Sequence, residues 1–383
     1  MSSQNIGVDA FKQLFVTGTP LIDVRAPIEF AQGALPESVN MPILNNEERA
    51  LVGTTYKNQG QEAAVRLGHQ MISGTVKEER VARWSRFIAE NPDTVLYCFR
   101  GGKRSQITQQ WLKDAGMERP LLVGGYKAAR RFLINAVQAF SAKHHFVLVS
   151  GPTGSGKTTL INEVTDFYPA VDLEFLAQHR GSAFGARTIP QPTQVDFENR
   201  LAVTVMKLEN RLQPQTSLLV EDECRHIGKN CLPESFFARL RCSDVIWLDE
   251  PLSVRVENIF KDYILDTAIG RVCLQVALDE ETQKNHALII YENYKKALTA
   301  ISKKLGGVRT QEIMIDLEAA RLDFLNRNEI QSNKLWIEKL LKYYYDPLYL
   351  KSLDRRRPTV LFKGSKNAVI EYFKKTAAAS DLN

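Results

Sequence analysis

Cysteine is scarce in this chain. The 383 residues hold five, Cys98, Cys224, Cys231, Cys242 and Cys273, with no CxxC pair among them. An odd, widely spaced set argues against a disulfide framework or a zinc ribbon and suits a reducing compartment, so a cytoplasmic location is expected. No apolar run is long enough to span a bilayer, and no membrane partner is expected. The opening Met1-Ser2-Ser3-Gln4-Asn5 has no basic start and no apolar stretch, so no secretory signal is expected either. Repeats and low-complexity tracts are also missing. With 25% charged and 44% hydrophobic residues the composition is that of an ordinary globular chain, which excludes collagenous or disordered classes. The length leaves room for two or three domains.

What charge there is sits unevenly. The formal net charge is +6, yet residues 334–375 alone hold eleven Lys/Arg and four Asp/Glu, a local +7. The same stretch carries Trp336, Tyr343, Tyr344, Tyr345, Tyr349, Phe362, Tyr372 and Phe373. Cations interleaved with flat rings suit a phosphate backbone and unstacked bases. A solvated helix face with its aromatics in a core would give the same composition. Arg355, Arg356 and Arg357 are the candidate RNA contacts.

The pattern of the chain predicts an α/β protein in three blocks. Short apolar runs, Leu21-Ile22-Asp23-Val24, Thr94-Val95-Leu96-Tyr97 and Phe146-Val147-Leu148-Val149, precede helix-like segments, as in parallel sheets with crossover helices. The first α/β domain is expected over 7–130 and the second, with a parallel sheet, over 143–302. Helical spacing over 126–142 predicts a helix joining them. Residues 303–383 are expected to form a helical, basic region, with Ile313–Leu325 and Lys334–Tyr345 its clearest pieces.

Two loops carry chemistry. Cys98 ends an apolar run and is followed by Phe99-Arg100-Gly101-Gly102-Lys103-Arg104-Ser105 and a helical segment. Backbone N–H groups at a strand-to-helix turn, the positive helix end and the charges of Arg100, Lys103 and Arg104 all favour a thiolate nucleophile. Gly101 and Gly102 let the backbone curl around an anion. The second loop, Gly151-Pro152-Thr153-Gly154-Ser155-Gly156-Lys157-Thr158, matches GxxxxGK[ST] between a strand and a helix. Its amides, from Gly151 through Gly154, Ser155, Gly156 and Lys157 to Thr158 and Thr159, are expected to wrap a diphosphate. Further on, Leu218-Leu219-Val220-Glu221-Asp222-Glu223 reads as a strand ending in acids. Glu221 and Asp222 are candidate acidic residues there, with Thr158 and Asp222 the candidate holders of Mg²⁺. Arg180 and Arg255 are candidate diphosphate or RNA contacts. Neither an Asn-Lys-x-Asp guanine-reading element nor a Leu-Ser-Gly-Gly-Gln signature is found.

The segment from Leu21-Ile22-Asp23-Val24-Arg25 to Val39-Asn40-Met41-Pro42, with Leu122-Val123-Gly124-Gly125, resembles rhodanese-like domains. The resemblance implies a small α/β domain in which Cys98 carries a chalcogen as a persulfide or perselenide, with Asp23 and Arg25 as scaffold. Cys98 and Arg104 are separated by five residues, a loop length like that of related phosphatases and arsenate reductases. A kinase or nucleotidase fused to a rhodanese-like or Cys-x5-Arg phosphatase domain therefore stays open. The combination of both loops with Gly124-Gly-Tyr-Lys-Ala-Ala-Arg-Arg131, Arg180-Gly-Ser-Ala-Phe-Gly185, Glu221-Asp-Glu-Cys-Arg-His-Ile-Gly228 and Tyr344-Tyr-Asp-Pro347 resembles the tRNA 2-selenouridine synthase family. That resemblance implies a P-loop NTPase-like second domain and a two-step reaction on wobble 2-thiouridine in tRNAs of the Lys, Glu and Gln type. Geranyl diphosphate and selenophosphate are the implied co-substrates, Mg²⁺ a candidate cofactor, and a selenophosphate-supplying enzyme a candidate partner.

Overall fold

Leu21, Ile22, Val95, Leu96 and Tyr97 are all buried, as the centre of a sheet covered on both faces requires. In the computed structural model, which describes residues 5–180, 184, 189–213, 216–274 and 279–380, they build a three-stranded parallel sheet. Its strands are β1 (Leu21–Asp23), β2 (Ser38–Asn40) and β3 (Val95–Tyr97), in the order β2-β1-β3. Leu21 stands opposite Ser38 on one side and Val95 on the other. Ile22, Val24, Trp84, Leu96, Trp111 and Leu112 pack together beneath it.

The chain divides into two compact units. The first comprises residues up to Lys143 together with Pro192–Asn210. The expected joining helix is present as Gly125–Lys143 and belongs wholly to this unit. A second helix, Gln194–Leu208, also belongs here, although the sequence placed it within 143–302. It buries Phe197, Leu201, Ala202 and Val205, and its buried Asn199 donates to the Ala34 carbonyl at 2.6 Å and accepts from Arg130 at 2.7 Å. Amphipathic spacing announces such a helix but not the unit whose surface it covers.

The second unit comprises His144–Gln191 and residues from Arg211 onward. Its strands are β4 (Phe146–Ser150), β5 (Ala170–Val171), β6 (Leu218–Glu221), the antiparallel pair β7 (His226–Ile227) and β8 (Asn230–Cys231), then β9 (Asp244–Leu248) and β10 (Val360–Gly364). Five of them form one parallel sheet in the order β10-β9-β4-β6-β5. The helices Leu252–Phe260, Glu280–Leu305, Gly307–Arg327 and Asn333–Leu340 build a separate apolar core around Tyr291, Leu298, Leu317 and Trp336.

The region 303–383 is therefore not a separate tail. β10 is an edge strand of the sheet, and the helix Lys366–Ser380 seats Val369 and Phe373 in the sheet's core beside Val149 and Leu219. Most of its aromatics are structural: Trp336, Tyr344 and Phe373 are buried, and Tyr343, Tyr345, Phe362 and Tyr372 pack partly buried against the two cores. Lys334, Lys339, Lys363, Lys366 and Lys374 have carboxylate partners in Glu257, Asp316, Asp249, Glu163 and Glu371, so much of the +7 is balanced in place. The backbone of Arg355 and Arg356 is helical, but their side chains lie outside the described residues; Arg357 is exposed.

Candidate active sites in the two units

In the first unit β3 delivers Cys98 to a turn that opens the helix Lys103–Asp114. The Gly102 N–H donates to Cys98 Sγ at 3.2 Å, and the Ser105 hydroxyl lies 3.2 Å from the same sulfur. The motif's spacing gives Ser105 no role, but the helix's first turn brings it to the thiol. Gly101 and Gly125 both have positive φ, and a Cβ on Gly125 would stand 2.4 Å from the Cys98 carbonyl oxygen, so only glycine fits. The two turns are locked by Tyr126 N–H donating to the Cys98 carbonyl and Lys127 N–H to that of Phe99, each at 2.9 Å.

Arg104 does not turn into the cradle. It donates to Glu29 at 2.6 and 3.1 Å, and Arg49 reaches the same carboxylate. Burial alone would raise Glu29, but Arg104 and Arg49 outweigh it and hold the carboxyl below its usual range. The charge of Arg104 is thus spent on Glu29, while Arg100 and Lys103 remain exposed beside the sulfur. Asp23 and Arg25 are scaffold: the buried pair is joined by Arg25 Nε and Nη2 donating to Asp23 Oδ2 at 2.8 and 2.6 Å.

In the second unit the loop after β4 has the strand–turn–helix form its sequence predicts. Gly154 and Gly156 have φ of 84° and 83°. A Cβ on Gly154 would stand 2.7 Å from the Arg255 carbonyl oxygen. Lys157 Nζ donates to the Gly151 carbonyl at 3.0 Å, and the Gly151 N–H donates to Tyr349 Oη at 2.6 Å. The loop is clamped from behind. Arg255 Nε donates to the Thr153 carbonyl at 2.9 Å, its guanidinium grips Asp346 at 2.5 and 3.1 Å, and Asn258 donates to the Gly154 carbonyl at 2.8 Å. Arg255 is buried, so it positions the loop rather than meeting a ligand. Ser155 Oγ is buried beneath the loop with no hydrogen-bond partner among the described residues, and Thr159 is exposed at the start of the helix Lys157–Val164.

The acids sort differently from the sequence expectation. Thr158 Oγ1 lies 2.8 Å from Glu221 Oε1 and 3.1 Å from Glu174 Oε2, whereas Asp222 accepts from Ser150 at 2.5 Å. Strand alternation separates them: Glu221, the last residue of β6, meets Thr158, whereas Asp222, next in the chain, meets Ser150, although it lines the same cleft. Thr158 has one proton to give and can donate to only one of these two carboxyls, so the pair is crowded. Burial, then repulsion from Glu174, Asp172 and Glu223, pushes Glu221 well above the usual carboxylate range, with the Thr158 hydroxyl opposing. Burial and Glu174 likewise raise Glu223 to about 8, against the pull of Lys157. Glu174 follows no motif and could not be read from the sequence. Among the described residues no three His, Cys, Asp or Glu side chains form a metal cage of their own. One hydroxyl and two crowded carboxyls do fit a divalent ion that shares its coordination with a bound diphosphate.

The loop opens on a cleft of about 1520 Å³. Lys157, Thr158, Glu174 and Glu223 line its polar end, and Ile259, Tyr263, Ile289, Tyr294 and Leu348 contribute an apolar wall. Arg180 lies in the same cleft with its guanidinium 4.9 Å from the Tyr263 ring centroid. Of the motif that follows Arg180, residues 181–183 and 185 lie outside the described residues. A smaller apolar cavity lies behind Thr153, between Ile259, Trp336 and Leu340.

Comparison with known proteins divides the chain once, between residues 131 and 144. Residues 8–131 match the rhodanese-like domain model, and residues 144–380 match the model of the tRNA 2-selenouridine synthase AAA domain. A tRNA 2-selenouridine synthase of Nitrosomonas eutropha is 59% identical over 98% of this chain and 98% of its own length. That of Nitrosomonas europaea is 56% identical over 97% and 99%, and that of Bdellovibrio bacteriovorus 55% identical over 96% and 97%.

Proposed function

This chain belongs to the tRNA 2-selenouridine synthase family, and from that premise we propose that it first prenylates a wobble 2-thiouridine with geranyl diphosphate and then exchanges the S-geranyl group for selenium. The observation that carries the first half is the cleft of the second unit. A phosphate loop at one end and Ile259, Tyr263, Ile289 and Tyr294 along the wall suit a diphosphate with an apolar tail.

The residues account for each step in turn. The thiocarbonyl sulfur attacks the allylic carbon of the prenyl donor; the S–C bond forms as the C–O bond to diphosphate breaks. The negative charge of the leaving diphosphate is met by the loop amides from Gly154 to Thr159 and by Lys157. A Mg²⁺ ion held at Thr158 and Glu221 would add charge neutralisation at the same oxygens. Alkylation turns a poor leaving group into a good one, so the S-geranyl group can depart as the thiolate when selenium attacks the pyrimidine carbon. The selenium of selenophosphate, already at the selenide level, attacks that carbon beside Cys98, where the Gly102 amide and the Ser105 hydroxyl face the sulfur, and hydrolysis of the Se–P bond releases phosphate. The phosphatase alternative needs a cation in the Cys98 cradle, and the pairing of Arg104 with Glu29 removes the one its loop length suggested.

The substrates on this reading are tRNAs of the Lys, Glu and Gln type, with Arg355, Arg356 and Arg357 as contacts to the RNA backbone, in the cytoplasm beside an enzyme that makes selenophosphate. The test is nucleoside mass spectrometry of 2-thiouridine tRNA incubated with the protein, geranyl diphosphate and selenophosphate, each omitted in turn. S-geranyl-2-thiouridine should accumulate without selenophosphate, and 2-selenouridine should require both. Selenouridine formed without geranyl diphosphate would reject the prenyl step.

A further inference from the structure

Phe99 is a large apolar side chain that the first unit leaves 38% exposed next to its buried thiol. It is held as though for use. Its backbone carbonyl is fixed by the Lys127 N–H at 2.9 Å. Its ring stacks on Tyr126, with centroids 6.1 Å apart and planes 21° from parallel. Tyr126 is in turn fixed by Arg25, whose guanidinium carbon lies 4.0 Å from the ring centroid and whose charge is anchored on Asp23. The series Asp23, Arg25, Tyr126, Phe99 therefore runs from the core to an exposed aromatic ring next to Cys98. Around that surface Arg100, Lys103 and Lys127 are all exposed, and none has a carboxylate partner among the described residues. Arg100 lies over the Phe99 ring itself, 5.7 Å from its centroid.

A rigid aromatic stack ringed by unpaired cations has the two features that hold an unstacked base: a flat face and charge for the flanking phosphates. The apolar face alone would suit many partners, but the three cations favour a polyanion. We propose that Phe99, backed by Tyr126, is the platform on which the wobble pyrimidine of an RNA loop stacks while its reacting carbon is presented to Cys98. The inference rests on the reading of the chain as a tRNA-modifying enzyme and adds to it the site that receives the base. Phe99 acts by stacking, so it needs a ring and not merely bulk.

The experiment uses the full chain, an anticodon stem-loop carrying S-geranyl-2-thiouridine at the wobble position, and selenophosphate, with the nucleoside product counted by mass spectrometry. Phe99→Ala should raise KM for the stem-loop about tenfold, the order expected for one lost base–aromatic stack, while kcat at saturating RNA stays within about threefold. Phe99→Leu should behave as the alanine variant, and Phe99→Tyr as the wild type. If Phe99→Ala fails to fold, the leucine and tyrosine variants decide alone. An unchanged KM, a loss confined to kcat, or a leucine variant equal to wild type would overturn the platform. A wild type that makes no 2-selenouridine from this RNA would overturn the functional reading, and the platform with it. Active wild type with unaffected Phe99 variants would remove the platform only.

Discussion

On the proposed function, single side chains decide the division of labour between the two loops. Cys98→Ser should abolish 2-selenouridine yet leave S-geranyl-2-thiouridine, and Lys157→Ala should abolish both; nucleoside mass spectrometry separates the outcomes. Both residues were legible because each loop is a contiguous strand–turn–helix whose amides are set by neighbours in sequence. Glu223 makes a subtler case. Held at about 8, its carboxyl is mostly neutral at physiological pH and adds no repulsion to an incoming diphosphate. As pH rises from about 7 to about 9 it ionises, and metal-free pyrophosphate affinity in the wild type should fall about tenfold relative to Glu223→Gln, by calorimetry. A ratio that stays constant over that range would take Glu223 out of the site. Its place just past the end of β6 was readable; its raised carboxyl was not, because Glu174 arrives from a helix no motif marks.

Among the elements, the helix Leu252–Phe260 and the helix Asp346–Arg356 act as a pair of jaws on the phosphate loop. Arg255 joins them by holding Asp346 and the Thr153 carbonyl together. Breaking a largely buried pair strands the partner that remains, at about 3 kcal/mol. Arg255→Ala should lower stability by about that much, and adding Asp346→Ala should cost little more, because the two act as one unit. Urea unfolding of the single and double variants measures this, and additive losses would mean that the clamp does not exist. Sequence reading had offered Arg255 as a ligand contact. A charge on an amphipathic helix looks the same whether it meets solvent, ligand or a distant carboxylate; only packing distinguishes them.

At the scale of the molecule, the chain crosses between its units three times: into the second after Lys143, back to the first for the helix Gln194–Leu208, and into the second again from Arg211 to its last strand and helix. The last helix is therefore part of the unit that carries the GxxxxGK[ST] loop. Phe373→Ala should remove about 3–5 kcal/mol through the cavity it leaves, seen as a lower melting temperature that added pyrophosphate partly restores. An unaltered melting curve would return residues 303–383 to the status of a separate tail. The sequence by itself determined what depends on near neighbours: two α/β units, the cysteine turn, the phosphate loop and the acids at the end of β6. Tertiary structure alone decided that Glu174 meets Thr158, that Arg104 serves Glu29, that Arg255 holds Asp346, and that Tyr126 supports Phe99. The physical reason is range. Turn geometry and strand alternation are set by bonds a few residues apart, whereas a partner tens of residues away is chosen by which surfaces bury each other.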